Sequence, residues 1–140
     1  MIVDTISELL ELVHRIGHRA RHGYRRSLEP LGLSPGQARA LRELIDAGRP
    51  LRMVQLADAL RIVPRSLTPV VDALEEAGLV RREIDPANRR STLLLITGRG
   101  EEVYEQVRQA RREVARELFG GLSHEQRETL RELLGKVDEA

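Results

Sequence analysis

The sequence predicts a mainly α-helical chain with a small β-wing set between long helices at either end. Three observations lead there. Hydrophobic residues make up 41% of the chain but aromatic ones only 2%, so the core must be Leu, Val, Ile and Ala, which suits packed helices better than a β-sandwich. Apolar residues recur at helical spacing through most of the length. A single stretch, 79–96, reads instead as two short strands around a turn containing Pro86, Asp85 and Asn88. The 140 residues are the size of one domain with a real core.

Residues 4–29 carry a wide apolar stripe of Ile6, Leu9, Leu10, Val13, Ile16, Gly17, Ala20 and Tyr24, which must be buried against something. Pro30 and Gly32 stop this helix. Ser34-Pro35-Gly36-Gln37 is a capping box with Pro at the first helical position, opening a helix to about Ala47 with Ala38, Leu41, Leu44 and Ile45 inward. Leu51-Arg52 allows one extended pair. A short helix, 54–60, turns inward Leu56, Ala57 and Leu60, and Arg61-Ile62-Val63 makes a turn. Pro64 opens the next helix, which runs to Ala77 with Leu67, Val70, Val71 and Leu74 inward and Gly78 beyond its end. Strands follow at 79–84 and 92–96, joined by the seven residues 85–91. A long helix, 99–118, carries Val103, Val107, Ala110, Val114 and Leu118 on one face, and Gly120-Gly121 breaks it. Ser123 and Gln126 form a second capping box for a last helix, with Leu130, Leu133, Leu134 and Val137 inward. Neither end helix can bury its face alone, which predicts that the ends pack together and, in a dimer, across the two-fold.

Helix, turn, helix and two-stranded ribbon over 51–97 is the layout of a winged helix-turn-helix, a module that presents the N-terminal half of its second helix to the DNA major groove. We therefore divide the single domain into a winged-helix lobe, 34–97, and a helical dimerisation region, 1–33 with 98–140. With Leu67, Val70, Val71 and Leu74 inward, the residues facing out are Arg65, Ser66, Thr68, Pro69, Asp72 and Ala73. Pro64, Arg65, Ser66, Thr68 and Pro69 bring an arginine, two hydroxyls and the positive end of the helix dipole, suited to guanine edges and phosphate oxygens. Asp72, Glu75 and Glu76 follow, which phosphate repels, so the helix is expected to enter the groove N-terminus first. Pro69 leaves two readings open: a helix from Pro64 that loses one hydrogen bond there, or a start near Ser66 that puts Pro69 in the first turn. Asn88, Arg89 and Arg90 are expected at the wing tip, the arginines reaching the minor groove and the phosphates. Of Arg81 and Arg82, alternation sends one toward DNA and the other toward the body, without saying which.

Several classes of protein are excluded or disfavoured. The chain has no cysteine, hence no disulfide, thiolate zinc site or thiol switch. There is no signal-peptide pattern and no apolar run near the roughly 18 residues of a membrane span, so a soluble, cytoplasmic protein with no membrane partner is expected. No glycine-rich phosphate loop, Gly-x-Ser-x-Gly elbow or His-Glu-x-x-His motif is present, so neither an enzyme nor a cofactor is expected. Net charge is only +1, so a nucleic-acid contact needs its cations gathered on one surface; Lys136 is the sole lysine, and the rest are arginine.

The runs 51–60 and 66–80, the wing from Asp85-Pro86 through Arg89-Arg90 to Leu95-Ile96-Thr97-Gly98, and Leu33-Ser34-Pro35-Gly36-Gln37-Ala38 resemble the MarR (multiple antibiotic resistance regulator) family over nearly the whole chain. The wing and the run Leu79-Val80-Arg81-Arg82 are the more specific signals. The resemblance implies a homodimer built from the first and last two helices, and two recognition helices reading a pseudo-palindrome in double-stranded DNA. It also implies a repressor more often than an activator, and a small-molecule or stress signal sensed where the dimerisation helices meet the DNA-binding lobe. The effector and its binding residues stay unknown; the scarcity of aromatics argues against a pocket that stacks flat ligands. Arg90 matches the family's wing arginine. The family commonly has Asp two residues earlier, where this chain has Asn88, which can hold the turn but cannot form an ion pair.

His14, His18 and His22 recur every four residues on the first helix, a spacing open to metal ligation. At about 100° per residue the row drifts onto the polar side of the stripe, which favours a solvated or subunit-facing role. Two alternatives follow: a metal-responsive regulator using this row, and a winged-helix protein-interaction module that does not bind DNA.

Overall fold

The computed structural model describes residues 4–140. Six helices and three strands follow in the order α1 (Thr5–Leu28), α2 (Pro35–Ala47), β1 (Leu51–Arg52), α3 (Met53–Leu60), α4 (Pro64–Glu76), β2 (Val80–Asp85), β3 (Asn88–Ile96), α5 (Gly98–Phe119) and α6 (His124–Asp138), with a 3-10 turn at Glu29–Leu31. Both expected capping boxes are formed. Ser34 Oγ accepts the Gln37 amide at 3.2 Å while the Gln37 side chain takes the Ser34 amide at 3.0 Å, and Ser123 with Gln126 repeats the pattern. Each satisfies two of the amide groups that a helix start leaves without partners.

Two compact units result. Arg25–Ala110 is one; the segments before and after it form the other. In the first, Leu28, Leu41, Leu56, Leu67, Val71, Leu74, Val80, Leu94 and Val107 are fully buried. Ala40 and Tyr104 also join the core, two positions the helical patterning had not marked. The sheet is antiparallel in the order β1-β3-β2, so the two-residue β1 closes one edge of the wing. Leu94 sits opposite Leu51 on one side and Arg82 on the other. Residues directly opposite in an antiparallel pair share a face. Because Leu94 and Leu51 are buried, that face is the one turned to the helices.

α4 ends in a Schellman motif. The Gly78 amide donates to the Glu75 carbonyl at 2.9 Å and the Leu79 amide to the Leu74 carbonyl at 2.9 Å, with Gly78 left-handed at φ 76°. α5 starts close against the wing base: Thr97 Oγ1 donates to the Gly78 carbonyl at 2.7 Å and accepts the Gly100 amide at 3.0 Å.

In the second unit, α1 and α5 approach closely at Gly23, where a Cβ would meet the Val114 methyls at 3.5 Å, and the Arg111 guanidinium lies over the Tyr24 ring at 6.0 Å. The expected inward faces of the end helices differ from expectation. Ile6, Leu9, Leu10 and Val13 of α1 are more than half exposed, and so are Leu133 and Val137 of α6. The helical period of these residues is correct, but one chain supplies no surface to cover them.

Candidate nucleic-acid interface

α4 begins at Pro64, with extended Val63 as its N-cap, and continues unbroken to Glu76. The start near Ser66 is thereby corrected: Ser66 lies in the first turn, its amide bonded to the Val63 carbonyl at 3.0 Å, and Pro69 stands inside the helix. Proline has no amide to give to the Arg65 carbonyl four residues back, so that carbonyl lacks its regular i+4 donor. Thr68 Oγ1 lies 3.3 Å from the Pro64 carbonyl one turn earlier. Pro64, Arg65, Ser66, Thr68 and Pro69 are all exposed, whereas Ala73, expected on the same outer surface, is half-buried.

The turn expected at Arg61-Ile62-Val63 is present, and its first residue carries a conformation that composition does not signal. Arg61 adopts φ 56°, ψ 43°, and is the one non-glycine residue at positive φ among the described residues. Its amide bonds back to the carbonyls of Ala57 and Asp58, closing α3. Glycine fills this role after the 3-10 turn, α2 and α4.

The wing also differs from expectation. The connection is not a seven-residue tip carrying both arginines; it is a tight turn at Pro86-Ala87, with Asp85 already paired to Asn88. Asp85 Oδ1 accepts the Ala87 amide at 2.9 Å and Asn88 Oδ1 accepts the Arg90 amide at 3.2 Å. These two side chains fold the backbone back within two residues each, so the surplus length moves into β3. Between the pairs Ile84–Thr92 and Asp85–Asn88 the second strand holds three extra residues, Arg89, Arg90 and Ser91. Arg89 and Arg90 therefore project from a bulge beside the tip, both exposed. Asn88 holds the turn without an ion pair, as its chemistry requires.

The register settles the pair left open by the sequence. Arg82 shares the helix-facing side of the sheet with Leu94, and its guanidinium bonds Asp72 Oδ1 and Glu75 Oε1 of α4, each at 2.7 Å. The hydrogen bond to Asp72 raises the Arg82 pKa above the ordinary guanidinium value; partial burial opposes this and Glu75 adds to it. Arg81 lies on the other face, beside Glu83 at 3.1 Å. Turn chemistry alone would have misplaced them: a regular hairpin centred on Pro86-Ala87 puts Arg82 opposite Ser91, and only the three extra residues of β3 bring Leu94 there.

Among the described residues, Arg61, Arg65, Arg89 and Arg90 form no salt bridge, a property they share with Arg39, Arg49, Arg52 and Arg99 of the same unit; what sets Arg65, Arg89 and Arg90 apart is their place at the start of α4 and on the wing. The histidine row gathers no such site. His18 and His22 stack at 6.5 Å with rings 12° from parallel. Among the described residues no three His, Cys, Asp or Glu side chains come together as metal ligands. No described helix is long and apolar enough to cross a membrane.

A winged helix-turn-helix with an uncovered arginine-bearing helix start and an arginine-bearing wing defines a transcription-regulator class of protein. Comparison with known proteins gives the family. The MarR family model matches residues 33–92. An uncharacterized HTH-type transcriptional regulator, YkoM of Bacillus subtilis (strain 168), is 31% identical over 118 residues, covering 84% of this chain and 75% of that protein. YusO of Bacillus subtilis has the same fold, with a TM-score of 0.85 at 22% identity over 96% of this chain and 95% of its own. A mutant MarR from E. coli, complexed with operator DNA, matches at a TM-score of 0.72 and 26% identity over 96% of this chain and 99% of its own. The chain belongs to the MarR family and is a transcriptional regulator, not an enzyme.

Proposed function

We propose that this protein binds double-stranded DNA selectively as a homodimer in the cytoplasm and represses transcription until a small-molecule effector releases it. The observation that carries the reading is the pairing of two acid-free arginine sites on one unit: the start of α4, with Arg65, and the β3 bulge, with Arg89 and Arg90. In this reading Pro64, Arg65, Ser66, Thr68 and Pro69 enter the major groove. Asn88 holds the wing turn while Arg89 and Arg90 take the phosphates or the neighbouring minor groove. The exposed apolar faces of α1 and α6 favour a second copy of the chain over a monomer. The MarR neighbour in complex with operator DNA supports the same use of the fold. For the effector, a cavity of about 420 Å³ within the winged-helix unit is lined by Leu44, Ile45, Arg49, Tyr104, Glu105 and Arg108, among others. One aromatic ring amid aliphatic and charged groups suits an amphipathic molecule better than a stacked flat one.

The test is a gel shift on DNA from upstream of the protein's own gene, run across a salt series. Affinity should fall with a log–log slope of about −0.9 for each phosphate neutralised. Arg90→Ala should weaken binding and flatten that slope. Salt-insensitive or unselective binding by folded protein argues for the protein-interaction reading instead.

A further inference from the structure

Thr68, Pro69 and Asp72 lie three, four and seven residues after Arg65 and so share one stripe with it along α4, all exposed. The face proposed to meet DNA thus runs from a free arginine at one end to a carboxylate two turns later, with Glu75 two turns beyond Thr68 and about one turn beyond Asp72. Bare carboxylates there would stand against the phosphates. In the structure Asp72 and Glu75 are not bare, whereas Glu76, one turn beyond Asp72, forms no salt bridge among the described residues. Arg82 reaches from β2 to Asp72 and Glu75, at 2.7 Å each, and its side chain is 28% exposed while theirs are 59% and 42% exposed. Its strand explains how it gets there. Val80, Arg82 and Ile84 alternate onto one face, and their exposure climbs from a buried Val80 to a 68% exposed Ile84. Arg82 is the position where that face leaves the core and still touches α4.

Resting on the DNA-binding reading, we propose that Arg82 is a positioning residue that screens Asp72 and Glu75, allowing the C-terminal half of α4 to lie beside DNA phosphates. It acts through the two carboxylates and not by touching DNA. One guanidinium at hydrogen-bond distance from two carboxylates lowers the charge of the cluster from −2 to −1, whereas an unscreened pair of like charges facing phosphate weakens association steeply at low salt.

The test uses the duplex that the wild-type protein selects from a randomised pool, with affinities measured at low and high salt. Arg82→Gln should weaken binding about 10-fold or more at low salt, and the deficit should shrink as salt rises. Arg81→Gln, on the opposite face of the strand, should weaken it less. Adding Asp72→Asn and Glu75→Gln to Arg82→Gln should restore affinity to within about threefold of wild type. The Asp72→Asn/Glu75→Gln protein with Arg82 intact should bind as tightly as wild type or tighter, an arm that stands even if Arg82→Gln fails to fold. The proposal is overturned if the triple variant stays as weak as Arg82→Gln, if Arg82→Gln binds like wild type, or if neutralising the two acids alone weakens binding. Should wild type select no duplex at all, the DNA-binding reading falls with it. Loss of affinity in Arg90→Ala beside a normal Arg82→Gln would sink this inference alone.

Discussion

Replacing Gly100 with alanine tests how closely α5 is seated on the base of the wing. A Cβ on Gly100 would run into the backbone carbonyl of Leu79 and stand 2.6 Å from Ile96 Cγ1, where carbon atoms settle at about 3.5–4.0 Å. The obstacle is main chain and cannot rotate away. It is also tied down: the Leu79 carbonyl accepts the Thr97 amide at 3.0 Å, and Thr97 Oγ1 bridges the Gly78 carbonyl and the Gly100 amide. Relief means sliding the first turn of α5 outward by about 1 Å, which stretches all three bonds. Overpacking of this kind costs about 1–3 kcal/mol, and each hydrogen bond lost adds about 1 kcal/mol net. With two of the three bonds lost, the sum is about 3–5 kcal/mol, a large part of the roughly 5–15 kcal/mol that holds a domain folded. At about 3 °C per kcal/mol for a chain of this length, the melting midpoint should fall by roughly 10–15 °C. Gly98→Ala is the control, because a Cβ there meets nothing within 4 Å, and its midpoint should stay within about 2 °C of wild type. Both would be followed by circular dichroism at one protein concentration, since self-association shifts apparent stability. A Gly100→Ala midpoint within about 3 °C of wild type would refute the close seating of α5.

Three further perturbations separate local from tertiary effects. Arg61→Gly should raise stability by a few tenths to about 1 kcal/mol, because glycine adopts φ 56° without the steric penalty an arginine bears; a lower midpoint in thermal unfolding would count against the left-handed assignment. Ser34→Ala removes one half of the first capping box and should cost about 1 kcal/mol in denaturant unfolding, while an unchanged midpoint would mean the cap is not formed. Leu10→Glu, on the exposed face of α1, should convert dimer to monomer in sedimentation velocity; a variant as dimeric as wild type would place the proposed subunit contact elsewhere.

The parts of this molecule legible in the sequence are those whose causes lie within four residues. Both capping boxes, the stop at Gly32, the Schellman glycine Gly78 and the helical stripes depend on spacings that a linear reading measures directly. The helix-turn-helix followed from them, and with it the fold class. Pro69 marks the limit of this local reasoning, because the energy of one missing hydrogen bond does not say which of two starts the helix takes.

Pairing across the sheet and packing between elements decided the rest. Whether Arg81 or Arg82 turns to α4 depends on strand register, and a slip of one residue reverses the answer. Arg89 and Arg90 moved off the tip because Asp85 and Asn88 close a shorter turn than composition alone specifies, leaving residues that only a bulge can hold. The acidic end of α4 looked repulsive in the sequence because its counter-charge arrives from a strand ten residues away from Asp72. The apolar faces of α1 and α6 have the correct period, yet what covers them is not written in the period. Sequence thus sets the form of each segment through short-range sterics and hydrogen bonds, whereas the electrostatic surface offered to a partner emerges only when distant segments are brought into register.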